Sequence, residues 1–433
     1  MTSLPLEIWS PLKPQASGIA DYVEEQLPFL ARDFALSLTV DDPDSISGEL
    51  KGRYRVIPAA RSDKATLRVY HVGNSPLHGF IYREARRVPG IVVLHEWNLH
   101  ELLLGFAVTA NDFTVYRRQM RREHGERGSV AAETIAKALG GRYWTGVFPL
   151  NMEILERALA VVCLARSTSL RVAARTLGTP LLYLPHHAVL RSHTTDRAAA
   201  RARLGFDQNV RIVLAPGLGT ASKSLDIVRE AVQVIRDEVH EVRLVTVGGG
   251  GSSEVGTSVP IRDLGRVDLE TLGDALVAAD VVVALRFPSR GEASGVVMRA
   301  LSAGRAVVVS SGSTADEDLP RGVVARVNPG VCEASDLSAV LRLLLTDDEA
   351  RRRVEGLAFA FASTLGVEPL TRRLAEFVRE VNRDRAELEG ALRSRAAQAE
   401  RLREPIRNEI EAAASSLGLA HLPSNVFERL AGL

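Results

Sequence analysis

Cysteine is almost absent: Cys163 and Cys332 are the only two in 433 residues. Two distant thiols cannot build a disulfide framework and lack the paired spacing of a zinc site, so the sequence predicts a reducing compartment and no metal site. Long apolar runs are missing as well, and none approaches the roughly 18 residues that would span a bilayer. The first eleven residues show no basic stretch leading into an apolar core, so no secretory signal is read there. An excess of one charge is also lacking. With 54 basic and 53 acidic residues the formal net charge is +1, which leaves no global field to draw nucleic acid. These absences predict a cytoplasmic protein. Lysine is scarce too: five, at positions 13, 51, 64, 137 and 223, stand among the 54 basic residues. Codon bias toward arginine explains the pattern, yet it isolates Lys223, a compact ammonium in a glycine-rich loop.

What is present is an ordinary globular balance, 46% apolar and 25% charged, in a chain long enough for two or three domains. Short β-branched runs alternate with longer helical patterns, the mark of parallel α/β architecture. Strands are predicted over Leu6–Ser10, Leu36–Val40, Leu67–His71, Ile91–His95 and Ala160–Ala165, with a helix from Gly18 to about Ala31. In the second half they fall at Arg211–Ala215, Val242–Val247, Ile261–Leu264, Asp280–Leu285 and Ala306–Ser310. Helices there cover Leu225–Asp237, Leu269–Ala279 and Ser294–Ala303.

Two doubly wound, Rossmann-like domains follow, 1–190 and 204–366, joined through the arginine- and alanine-rich stretch His187–Leu204. Residues 367–433 read as helices whose first part packs back on the N-terminal domain. One apolar stripe runs through Leu370, Leu374, Phe377, Val378 and Val381. A second runs through Leu388, Leu392, Ala399, Leu402, Ile406 and Ile410, broken at Pro405. A dimer contact through these stripes is left open, as is the oligomeric state.

Ligand chemistry concentrates where predicted strands run into helices. Glu292-Ala-Ser-Gly-Val296 opens a helix whose free N–H groups suit an anion, though Ser294 also serves as a plain N-cap and Glu292 as a solvated carboxylate. Gly217-Leu-Gly-Thr-Ala-Ser-Lys223 lets backbone N–H groups approach a phosphate, with Lys223 as a point charge. The spacing imitates a nicotinamide fingerprint, but the next strand ends in Val247-Gly-Gly-Gly-Gly251 without the acidic residue that would hold a ribose. Ser17 and Gly18, the segment His71–His78, and the segment His95–His100 follow strands in the first half. Neutral, hydrogen-bonding histidines are expected there rather than zinc ligands. Phe113–His124 is a basic amphipathic segment in which Arg117, Arg118, Arg121 and Arg122 oppose Phe113, Tyr116 and Met120. A solvated arginine face is its default. A sharper expectation is contact with an anionic or lipid-linked acceptor, or peripheral attachment at the inner membrane face.

Taken together, these motifs resemble the GT-B glycosyltransferases, specifically the family 4-type retaining enzymes that use nucleotide sugars. The resemblance runs from about Leu6 to Phe377. Ser17-Gly-Ile-Ala-Asp-Tyr22 is similar to the family's glycine-rich loop, and His95-Glu96 to the strand end whose histidine lies near the transferred sugar. Pro185-His-His187 resembles the end of the N-terminal domain. Gly217, Gly219 and Lys223 resemble the diphosphate loop, and Leu264-Gly-Arg-Val267 the segment that holds the nucleobase. Glu292 and Ser294-Gly-Val296 resemble the start of the Glu-x7-Glu motif, whose second glutamate is here Ala300, with Arg299 beside it. Leu218 stands where the family often carries arginine, a charge Arg286 can replace.

The resemblance implies two domains facing a cleft and a metal-independent hexosyl transfer that retains configuration. A UDP- or GDP-sugar is the donor; the acceptor is a glycan, a lipid-linked sugar or another molecule, and no further cofactor is needed. Glu292 and His95 take the catalytic roles. Gly18, Gly217, Gly219, Lys223, Arg266, Val267, Arg286, Ser294, Gly295 and Val296 bind substrate. The alternatives are a weakened nucleotide-sugar-binding partner, suggested by Ala300 and Arg299, and a GT-B sugar-nucleotide epimerase.

Overall fold

The computed structural model describes residues 3–140, 144–176, 178–190, 196–217, 224–239, 241–249, 261–398 and 401. They divide into two units. Unit 1 holds residues up to Cys163, Arg171–Leu182 and those from Leu374 onward, and unit 2 holds Leu164–Leu170 and Tyr183–Arg373.

The sheet of unit 1 is built from β1 (Leu4–Trp9), β2 (Phe34–Val40), β3 (Arg55–Pro58), β4 (Leu67–Val72), β5 (Ile91–Leu94), β6 (Ala160–Cys163) and β7 (Leu181–Tyr183). Their order is β3-β2-β1-β4-β5-β6-β7, and every pairing from β3 to β6 is parallel. Unit 2 carries β8 (Arg211–Pro216), β9 (Val242–Val247), β10 (Ile261–Asp263), β11 (Val281–Ala284), β12 (Ala306–Ser310) and β13 (Ala325–Val327). These run β10-β9-β8-β11-β12-β13, parallel throughout. Both orders reverse beside the unit's first strand, as in doubly wound nucleotide-binding folds. The expected fold class is therefore present: two Rossmann-like parallel-sheet domains and a helical C-terminal region.

The elements follow from local chemistry. β4, β5 and β6 are buried along their whole length, because parallel sheets are covered on both faces and select continuous apolar runs. In unit 2 alternate side chains feed separate cores. Ile212, Leu214, Val282, Val307 and Val309 enter one, while Val213, Val281, Val283 and Val308 enter the other, the period-two pattern of a pleated strand. The helix Gly18–Leu30 begins at Ser17, whose Oγ accepts from the Ile19 N–H. It buries Tyr22, Val23, Leu27 and Leu30, each contributing roughly 1.5–3 kcal/mol of apolar transfer.

The structure adds elements that the sequence pattern did not mark: β3, β7 and β13, and the helices Glu333–Thr346 and Asp348–Ser363. It also changes one segment. From Asp196 onward the stretch read as a joint is a capped helix, Arg197–Arg203, whose arginines reach Asp280. The chain passes between units at Cys163–Leu164, Leu170–Arg171, Leu182–Tyr183 and Arg373–Leu374. In the helix Val367–Arg383 the buried positions include Leu370, Leu374, Val378 and Val381. Arg379 pairs with Asp33 at 2.5 Å within unit 1. Of the second stripe, Leu388 and Leu392 are half-buried, and Ala399, Leu402, Pro405, Ile406 and Ile410 lie outside the described residues. Among the described residues no helix is long and apolar enough to cross a membrane.

Candidate active site

In unit 2 the strand order reverses between β8 and β11, and a crevice opens at their carboxyl ends. Its walls are Ala215, Pro216 and Gly217 at the end of β8, Thr246, Val247 and Gly249 at the end of β9, and Val283–Arg286 along and after β11. Leu225, Ser294 and Val296 complete it from two helix starts. The local geometry explains the glycines. Gly217 has φ 115°, a left-handed conformation that favours glycine, and its N–H donates to Val247 O at 2.7 Å. Gly248 donates to Gly265 O at 2.6 Å, which ties the Leu264–Val267 loop to the end of β9. Arg266 in that loop is exposed and Val267 half-buried. Gly219 and Lys223 lie outside the described residues.

The loop from β11 to the helix Gly295–Ser302 carries the charged pair. Arg286 Nε lies 3.2 Å from Glu292 Oε1, with both side chains about one-fifth exposed, 22% and 17%. The other oxygen of Glu292 accepts from the Arg290 N–H at 2.7 Å, so the carboxylate is held from two sides and its orientation is set before any ligand arrives. The Arg286 N–H donates to Ser310 Oγ at 3.0 Å, fixing the root of that side chain on β12. Ser294 caps the helix, its Oγ accepting from the Val297 N–H at 3.4 Å. A Cβ at Gly295 would sit 3.1 Å from His186 Nε2, so the imidazole packs against the helix start where only glycine fits without adjustment. The assembled chemistry is one guanidinium, one anchored carboxylate and outward N–H groups at a helix start, which suits a ligand bearing both an anion and hydroxyls.

Ala300, at the position of the motif's second glutamate, is fully buried among Val297, Leu301, Val307 and Val309. A carboxylate there would lie in an apolar core. Ala300 is not on the wall of the crevice.

Unit 1 has its own switch point, between β1 and β4, with His95 at the carboxyl end of β5. His95 is 6% exposed. Its N–H donates to Val72 O at 3.0 Å, its Nε2 lies 3.1 Å from His71 Nδ1, and Tyr22 meets its ring edge-on at 5.1 Å. Burial pulls the His71 pKa down to about 3, helped by nearby His78. Burial likewise lowers His78 to about 4, against the hydrogen bond from its Nδ1–H to His71 O at 3.0 Å. Glu96 Oε1 accepts from the Asn74 N–H at 3.2 Å. At Gly18 a Cβ would meet nothing within 4 Å, so space is open beside that helix start.

His100 is engaged at both ring nitrogens. Nδ1–H donates to Phe148 O at 2.6 Å, and Nε2 lies 2.7 Å from the Tyr116 hydroxyl. That tautomer leaves it a structural role. In the basic segment Tyr116 and Met120 are buried, Arg117 pairs with Glu133 at 2.7 Å and Arg122 pairs with Glu156. Arg118 is exposed and Arg121 half-buried.

Comparison with known proteins agrees with this geometry. Residues 210–347, which carry the unit 2 crevice, match the family model described as glycosyl transferases group 1. Among curated proteins the chain is similar to D-inositol 3-phosphate glycosyltransferase of Streptomyces coelicolor, 36% identical over 137 residues, 28% of this chain and 29% of the relative. The Streptomyces avermitilis enzyme of that name is 38% identical over 133 residues, 27% of this chain and 28% of the relative. The matched region thus spans less than a third of these relatives. Similar solved structures include HepE of Anabaena in complex with UDP and glucose, at TM-score 0.58 and 14% identity over 87% of this chain and 100% of that one. WaaG, a glycosyltransferase involved in lipopolysaccharide biosynthesis, gives 0.57 and 14% over 86% and 99%. Sucrose-phosphate synthase from Thermosynechococcus elongatus gives 0.60 and 16% over 87% and 99%. At these identities the likeness is one of fold, and the fold is that of GT-B glycosyltransferases.

Proposed function

We propose that the chain is a retaining glycosyltransferase that takes its sugar from a nucleoside diphosphate sugar held in the unit 2 crevice. The observation that carries this reading is the Arg286–Glu292 pair set beside the Ser294–Val296 helix start, at the strand-order reversal of the matched domain. The neighbour solved with UDP and glucose supports the donor class.

The difficult part of the reaction is negative charge building on the departing diphosphate. Helix-start N–H groups and Arg286 meet that charge, and Lys223 and Gly219 of the preceding loop add to it. This set acts without a divalent cation. Glu292, already oriented by Arg290 N–H, accepts from the hydroxyls of the donor sugar. Arg266 and Val267 flank the nucleobase, which is held through backbone atoms. His95 and Gly18 of unit 1 serve the transferred sugar and the acceptor, with Arg118 and Arg121 meeting an anionic acceptor or a lipid surface. The acceptor attacks from the face the diphosphate leaves, so configuration is retained.

The test is thermal unfolding against UDP, GDP, ADP, TDP and NAD, with and without magnesium. A ligand at about 100 times its Kd stabilises by roughly 2.7 kcal/mol, a shift of several degrees. A shift with one nucleoside diphosphate that magnesium leaves unchanged is expected. A response to NAD alone, or to nothing, defeats the reading, and magnesium dependence defeats its metal-independent form.

A further inference from the structure

Between β10 and the helix Leu269–Ala278, wholly within unit 2, runs the short loop Leu264–Val267. Both of its ends are pinned by an aspartate. At the far end Asp268 caps the helix, accepting from the Thr271 N–H at 2.8 Å. At the near end stands Asp263, the last residue of β10. Its register partner on β9 is Thr246, a buried residue on the crevice wall. Asp263 Oδ1 accepts from Thr246 Oγ1 at 3.0 Å and from the Gly265 N–H at 2.9 Å. The main chain repeats the connection. The Leu264 N–H donates to Thr246 O at 2.9 Å, and the Gly248 N–H to Gly265 O at 2.6 Å. Gly265 turns at φ 64°, a left-handed angle that a side chain would strain.

An exposed aspartate is ordinarily left to water. Asp263 is exposed, yet one of its oxygens joins a wall residue to the turning residue of the loop. Hydrogen bonds to a carboxylate are about twice as strong as neutral ones, so the loop backbone keeps a fixed set of N–H and C=O directions. Nucleobases differ in the order of donors and acceptors along their edges. A fixed backbone pattern matches one order and leaves unpaired groups against another, and unpaired groups are what give a hydrogen-bonding site its discrimination. A loop free to adjust accepts several bases and pays its ordering cost on binding.

We propose that Asp263 is a positioning residue that fixes the choice of nucleobase. It acts by holding the Leu264–Val267 backbone to Thr246, without itself touching the ligand. The inference rests on the nucleoside diphosphate reading of the crevice.

Calorimetric titration with UDP, GDP, ADP and TDP tests it on the wild type, Asp263→Ala, Asp263→Asn and Thr246→Val, with unfolding midpoints certifying the fold of each variant. The wild type should favour one base over the weakest of the others by about tenfold or more, the range for a hydrogen-bonding group left unmatched. Asp263→Ala should bring the ratio of those two dissociation constants close to one by weakening the preferred nucleotide. Thr246→Val should move the ratio part of the way, and adding it to Asp263→Ala should change the ratio no further. Asp263→Asn keeps an acceptor oxygen and should keep most of the preference, which separates a clamp from a direct contact with the charge. An unchanged ratio in Asp263→Ala overturns the proposal. Equal weakening of all four nucleotides also overturns it, because a purely structural role predicts that result, and so does an asparagine variant that behaves as the alanine one. A wild type that binds the four equally overturns this inference alone. A wild type that binds none of them overturns the nucleotide reading and this inference with it.

Discussion

Replacing Asp280 by alanine should strip unit 2 of the acceptor around which its amino edge is assembled. Asp280 is fully buried. Its Oδ2 accepts from Arg201 Nη2 at 2.9 Å and from the Ile212 N–H at 2.7 Å. Its Oδ1 pairs with Arg197 and lies 3.6 Å from Arg211 Nη1. The Arg201 side chain is only 5% exposed, so deletion leaves a buried guanidinium with carbonyl partners but no counter-ion. Breaking such a pair from one side costs about 3–5 kcal/mol. Asp280→Asn keeps the shape and one acceptor and should cost less, about 1–3 kcal/mol. For a unit of this size each kcal/mol moves the midpoint by about 2–4 °C, so alanine should lower it by about 6–20 °C. The assay is urea and thermal unfolding by far-UV circular dichroism. Tryptophan fluorescence runs alongside as a control, because Trp9, Trp97 and Trp144 all lie in unit 1. UDP affinity of the folded variant should be unchanged, since Asp280 precedes β11 and Arg286 follows it, about 20 Å of extended chain away. A loss below about 1 kcal/mol for Asp280→Ala would refute the claim that this network holds the edge together.

His71 and His78 are held neutral by burial, at about 3 and about 4 against an ordinary 6.5. The unfolded chain therefore takes up protons that the folded unit does not. Stability should be full above pH 6.5 and fall below it, by up to about 1.4 kcal/mol per pH unit for each histidine. Urea midpoints followed by tryptophan fluorescence at pH 7 and pH 5 should show the loss, and His78→Gln should reduce the slope; an unaltered slope would count against the assignment. Glu292→Gln should cut transfer by tens- to hundreds-fold while UDP binding, read by thermal shift, persists. Equal loss of both would make the carboxylate structural. Lys223→Ala should remove roughly 2–4 kcal/mol of leaving-group stabilisation, a slowing of about 30- to 1,000-fold, and retained turnover would take the diphosphate role away from that lysine.

The central strands were legible because burial on both faces leaves a continuous β-branched run. Val242–Val247 and Ala306–Ser310 have the same limits in the sequence pattern and in the structure. The overlooked strands are short. β3 and β7 are edge strands, β13 closes the other sheet, and each has half-buried positions in place of such a run. Asp280 was counted into a strand, yet it stands before β11 and serves as an ion centre, which its neighbours in sequence do not reveal. The glycines, Glu292 and Ser294 were visible because turn chemistry and helix capping are local. The His71–His95 contact was not, because it depends on β4 and β5 being neighbours, which only sheet order establishes.

The two units divide their chemistry along their strands in the same manner. At the amino ends, charges are closed on one another: Arg68, near the start of β4, is 1% exposed and lies 3.4 Å from Glu7 and 2.8 Å from Glu84, as Asp280 gathers arginines before β11. At the carboxyl ends, glycines, helix starts and oriented side chains face open space or a crevice. Buried ion pairs turned toward one another lie out of a ligand's reach, and breaking them from one side would be destabilising. Binding groups must keep some capacity unspent and so belong where water or substrate can complete them. The division gives each substitution a distinct signature. Changes at Arg68 or Asp280 should appear in unfolding midpoints with ligand affinity intact, whereas changes at Arg286 should appear in binding and turnover, and changes at Glu292 in turnover, with the midpoint of the unliganded protein nearly unmoved.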